Sequence, residues 1–131
     1  MIGIDTNVLI RYLVKDDPIQ AAAAIRIIHG LSPEESGWLA LTVVAELTWT
    51  LRRIYKMNRI AIAGIIEKLL GSKDMILEQR DTVQKALLLY RNSRADFADC
   101  VTVVGSRNAG CDRVATFDRI AARDLGMELI A

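Results

Sequence analysis

The chain has 131 residues, of which 52% are hydrophobic and 25% charged. That composition fits one compact domain and excludes a disordered or fibrous chain. Seventeen Lys and Arg stand against 16 Asp and Glu, for a net charge of +1, so the overall field does not mark a nucleic-acid binder and any such contact must rest on local clusters. Cys100 and Cys111 show neither metal-ligand spacing nor a disulfide pattern, and their apolar neighbours point to reduced thiols in a cytoplasmic core. The first residues lack the basic start and apolar run of a signal peptide, and no uncharged stretch is long enough for a membrane span.

Met1 to Ile4 reads as a short buried strand ending on a carboxylate, Asp5. Thr6 to Val14 reads as a helix broken by Lys15-Asp16-Asp17-Pro18. Asp17 caps a second helix that runs to His29 and closes at Gly30. His29 then reads as a cation at a helix C-terminus. Gly37 to Leu41 is predicted as the second strand, with Thr42 capping a helix to about Tyr55 that carries Glu46. Asn58 starts another helix, ended by Gly71. Asp74 to Glu78 is the third strand and Asp81 to Tyr90 a helix. Asp96 to Asn108 is helical, Asp112 to Thr116 is a strand, a short helical turn follows Asp118, and Met127 to Ile130 is an edge strand. Strands alternating with helices predict a parallel or mostly parallel α/β sandwich.

The carboxyl ends of parallel strands form the ligand crevice of such a fold. Asp5 and Asp118 leave strand ends, and Glu46 follows the second strand, so these three are expected at one edge. Asp96 and Asp99 precede a strand, and they reach that edge only if their helix starts there. Taken singly, each acid has a plainer reading: Asp5 and Asp118 as helix caps, Asp96 with Asp99 as a capping box. Taken together, acids at one sheet edge without matching lysines favour a metal site. Clustered carboxylates repel one another unless a cation neutralises them, and hard oxygen ligands select Mg²⁺ or Mn²⁺. No serine, cysteine or histidine constellation competes as a nucleophile, and no Gly-rich phosphate loop is present.

Ile4-Asp5-Thr6-Asn7-Val8-Leu9, Val44-Ala45-Glu46-Leu47, Asp96-Phe97-Ala98-Asp99 and Thr116-Phe117-Asp118 together resemble the PIN-domain family, and look most like the VapC-type toxins of bacterial toxin–antitoxin pairs. The resemblance covers essentially the whole chain. It implies a three-layer α/β/α fold with a five-stranded sheet of order 3-2-1-4-5, and a Mg²⁺- or Mn²⁺-dependent endoribonuclease. It further implies an acidic set of Asp5, Glu46, Asp99 and Asp118, with Asp5 and Asp99 as the main metal ligands. Asp96 stands as accessory acid or cap, and Thr6, Asn7 and Thr116 as pocket supports. A homodimer and a VapB-type antitoxin are the partners it implies.

A polyanion would need local cations. Arg52, Arg53, Lys56 and Arg59 follow Glu46, Arg91 and Arg94 precede Asp96, and Arg113, Arg119 and Arg123 surround Asp118. The first cluster is the best candidate for contact with single-stranded RNA. Trp38, Trp49 and Tyr55 could stack bases, although core packing is the expectation for most of them. Ile19, Ile25, Ile27, Ile28, Ile62, Ile65 and Ile66 exceed what one small core buries and suggest a dimer face or a partner groove. Two other readings are a phosphoryl-accepting receiver domain, which lacks an acceptor aspartate at a central strand end and a lysine at a late one, and a PIN-like domain that binds RNA without cutting it.

Overall fold

A computed structural model describes residues 1–131. Its elements are β1 (Ile2–Gly3), α1 (Thr6–Val14), α2 (Pro18–His29), β2 (Gly37–Leu39), α3 (Leu41–Arg53), α4 (Arg59–Gly71), β3 (Met75–Leu77), α5 (Arg80–Arg91), α6 (Phe97–Asn108), β4 (Ala115–Thr116), α7 (Arg119–Leu125) and β5 (Glu128–Leu129). The fold is α/β and every strand pair is parallel, as the alternation of elements predicts.

The strands form two sheets, β1-β2-β3 and β4-β5. Both runs agree with the order 3-2-1-4-5, but the expected ladder between β1 and β4 is not formed, so the single five-stranded sheet is corrected to three strands plus two. The reason is length. Alternate residues of a strand face opposite neighbours, and the Ile2 and Ile4 amides both donate to β2 and its lead-in, at Trp38 and Ser36. Only Gly3 is left facing the other way. One residue cannot build a ladder.

Gly37 at the centre of the three-stranded sheet has no room for a side chain: a Cβ would lie 2.9 Å from Met75 Sδ and 3.0 Å from Leu31 Cδ1. Twenty-five buried residues form one continuous cluster, from Ile4, Leu39 and Leu77 to Val103, Leu125 and Met127. Gly126 closes α7 at φ +70°, a conformation that glycine adopts without strain.

α3 organises the site because it packs against both α1 and α6. Its buried face is Val44, Leu47, Thr48 and Leu51, at helical spacing. The helix begins at Leu41, so Thr42 is not its cap. The N-cap position is Ala40, and the Leu41 amide donates instead to Glu78 Oε1 at 2.8 Å. A glutamate from the far side of β3 thus does the work expected of a local hydroxyl.

Cys100 is buried as expected, whereas Cys111 is exposed in the loop after α6. Of the isoleucines read as surplus, Ile62 and Ile66 are fully buried. The exposed apolar residues on these helices are Ile19 and Ile27 on α2 and Ile60 on α4. No helix is long and apolar enough to cross a membrane.

Candidate active site

Asp5 follows β1 and caps α1, its Oδ1 accepting from the Thr6 amide at 2.8 Å. The cap occupies one carboxylate oxygen, and the residue remains exposed. Thr6 is nearly buried, and its hydroxyl donates to Glu46 Oε2 at 3.0 Å. Asp5, Thr6, Asn7 and Glu46 therefore share one cleft between α1 and α3, closed by Arg11, Thr50 and Tyr55. Arg11 was not singled out from the sequence. It lies four residues after Asn7, one helical turn along the same face, and that spacing was the available signal. Its Nη1 donates to Asp16 Oδ1 at 2.9 Å and to the Tyr55 hydroxyl at 3.3 Å, and its Nε donates to Gln20.

A second cleft lies between α3 and α6. Thr48, Trp49, Arg52 and Arg53 face Tyr90, Phe97, Asp96 and Asp99. Asp99 sits in the first turn of α6 and is half-buried. That partial burial, with the charges of Asp118 and Asp96, holds its carboxyl above the ordinary aspartate range. Asp96 occupies the N-cap position, but its side chain makes no cap hydrogen bond. It lies 3.8 Å from Arg53 Nη2, so the capping-box reading of Asp96 and Asp99 fails. Asp118 caps α7, accepting from the Ala121 amide at 2.8 Å, while its own amide donates to Thr116 Oγ1 at 3.0 Å. Thr116 thus fixes the turn that carries Asp118.

The acids line two clefts that share α3, Asp5 with Glu46 in one and Asp96 with Asp99 in the other, and Asp118 is near enough to Asp99 to act on its carboxyl. No group of three or more His, Cys, Asp or Glu side chains is close enough to hold one ion between them. The donor chemistry nevertheless suits a hard divalent cation, because every available ligand is a carboxylate oxygen and Asp99 stands among like charges.

Several of the expected cations are committed elsewhere. Arg59 donates to the Tyr90, Ser93 and Arg94 carbonyls and stacks 3.9 Å over the Tyr90 ring. Arg91 pairs with Glu67, Arg113 with Glu128 and Arg123 with Asp124. Arg52 and Lys56 are exposed and form no ion pair. Trp49, one of three aromatics that could stack bases or pack in the core, is 55% exposed. The helical period explains it: Trp49 lies opposite the Val44-Leu47-Leu51 stripe and beside Glu46 and Arg53.

The PIN domain model matches residues 2–124, and the chain belongs to the PIN domain family. This overturns the receiver reading, as does Asp74, which precedes β3 and not its carboxyl end. The chain is similar to a VapC ribonuclease of Aquifex aeolicus (strain VF5), 26% identical over 117 residues, covering 88% of this chain and 86% of that one. No solved structure matches significantly.

Proposed function

We propose that this PIN-domain protein is a divalent-metal-dependent endoribonuclease, the toxin of a toxin–antitoxin pair, acting on RNA in the cytoplasm. The observation that carries the reading is the cleft in which Asp5 stands with a Thr6-held Glu46, beside a second cleft on the same helix lined by Asp96 and Asp99, whose carboxyl also feels the charge of Asp118. The similarity to a VapC ribonuclease supports it.

Asp5 and Asp99 would be the principal metal ligands, with Asp118, Glu46 and Asp96 completing the acidic set. When bound, a Mg²⁺ or Mn²⁺ ion supplies water activation at neutral pH and charge stabilisation at the leaving oxygen. The chain's own residues orient and hold. Thr6 fixes the Glu46 carboxylate, Thr116 fixes the turn bearing Asp118, and Asn7 lines the first cleft. Arg52, Arg53 and Lys56 would contact phosphates flanking the cut. The exposed Ile19, Ile27 and Ile60 are among the apolar residues available to a second copy or to a VapB-type antitoxin.

Single-stranded RNA incubated with the protein and Mn²⁺ tests the reading. Cleavage is expected, lost in EDTA and in Asp5→Asn or Asp99→Asn with the fold retained. Cleavage that persists through all three treatments overturns it, and RNA binding without cleavage under any metal favours a non-cleaving RNA-binding PIN domain.

A further inference from the structure

We propose that Trp49 is a stacking platform for a nucleobase of the substrate, and that the α3–α6 cleft holds the nucleotide next to the bond that is cut. The inference rests on the ribonuclease reading and adds to it a substrate subsite with a named recognition chemistry.

Tryptophan is costly to leave in water, and the indole of Trp49 is more than half exposed at the wall of a cleft. The floor of that cleft is aromatic. Tyr90 and Phe97 are both buried and meet edge to face, with ring centroids 5.7 Å apart, and Arg59 pins the Tyr90 ring from behind. One turn along α3 from Trp49, Arg52 carries a cation with no carboxylate partner. Asp99 closes the opposite side.

An exposed π-face, an uncommitted guanidinium and a half-buried carboxylate thus line a single recess. They match, in order, a base, a phosphate and the cation that accompanies a scissile phosphate. A helical duplex keeps its bases stacked on one another and cannot offer one to Trp49, so the subsite selects single strands. Stacking is tolerant of base identity, because every base has a π-face. This recess therefore supplies affinity and position more than sequence choice.

The test uses the full chain and a short single-stranded ribo-oligonucleotide in EDTA, so that binding is read without cleavage. Trp38→Phe leaves Trp49 as the sole indole, since the chain has two tryptophans. RNA is expected to quench its fluorescence in a saturable way. By anisotropy of a labelled oligonucleotide, Trp49→Ala is expected to bind about 5-fold to 150-fold more weakly, while Trp49→Phe retains most of the affinity. An oligonucleotide abasic at every position is expected to bind wild type and Trp49→Ala equally, a result that a merely structural role for Trp49 would not produce. Arg52→Ala should lower the salt dependence by about one phosphate contact.

Unchanged RNA affinity in Trp49→Ala, or an indole indifferent to RNA, overturns the proposal and assigns the exposed ring to a protein partner. Should RNA be cut by wild type and equally by Trp49→Ala, stacking fails and the nuclease reading stands. Should binding depend on Trp49 while no metal produces cleavage, the platform stands and the nuclease reading fails.

Discussion

The Thr6 hydroxyl donates to Glu46 Oε2 at 3.0 Å, joining residues 40 apart in the chain. Thr6 is buried at the start of α1, Glu46 is exposed on α3, and the bond aims the carboxylate into the cleft that Asp5 lines. Replacing Thr6 by valine keeps the shape and removes the donor. Glu46 remains in water, so the fold is spared the penalty of a buried unpaired group. Thr6→Val is expected to lower kcat for RNA cleavage about tenfold with little change in KM, and Thr6→Ser to restore it. Steady-state kinetics on a single-stranded RNA check this.

Asp99 gives a pH signature. Its carboxyl is raised by partial burial and by the charges of Asp118 and Asp96, so the folded state holds that proton more tightly than the unfolded chain does. The ionised form therefore costs stability. The cost is fully present above the folded pKa and disappears as pH falls through it toward the ordinary aspartate value of about 3.9. Asp99→Asn is expected to raise Tm near neutral pH in EDTA, and that gain should vanish by about pH 4. Millimolar Mg²⁺ is expected to raise the wild-type Tm and leave Asp99→Asn unmoved. Thermal melts across pH, with and without metal, read both effects.

The two thiols should behave differently. Burial pushes the Cys100 thiol up to about 11, while Cys111 is exposed. One equivalent of thiol is expected to react with a chromogenic disulfide in the native protein and two after denaturation. Cys111→Ser should abolish the fast reaction.

The start of α3 depends on a distant residue. Glu78 accepts from the Leu41 amide at 2.8 Å where no local side chain caps the helix. Glu78→Ala is expected to cost about 1 kcal/mol in a urea melt. Leu47→Ala, on the fully buried face of the same helix, should cost about 3–5 kcal/mol.

These cases show how far the sequence is legible. Helices with local signals read well: Asp17 before Pro18 and Asn58 before Arg59 cap as expected, with their side chains accepting from Ile19 and Gln20 and from Ala61. The start of α3 did not, because its cap comes from Glu78 and not from a neighbour in sequence. The sheet reads in its order but not in its closure, since whether β1 joins β4 depends on one glycine's worth of free edge. In the site, the strand ends predict Asp5, Glu46 and Asp118 at one edge and leave Asp96 and Asp99 open, whereas Asp5 shares its cleft with Glu46 and the charge of Asp118 acts on Asp99. What was hidden is that Asp96 and Asp99 line a cleft of their own, between α3 and α6. Residue type alone leaves Trp49 open between base stacking and the core, and the period of its helix points to the surface. Arg11 escaped because a lone arginine in an early helix gives no sign of the carboxylates it lies beside.

The central claim is that the two acid-lined clefts along α3 serve one metal-dependent centre. Calorimetric titration of Mn²⁺ into the wild type, Asp5→Asn and Asp99→Asn tests it most directly. The account predicts that either substitution alone removes the binding seen in the wild type, because the two aspartates act on the same ion. Undiminished Mn²⁺ affinity in Asp5→Asn, with binding lost only in Asp99→Asn, would contradict it.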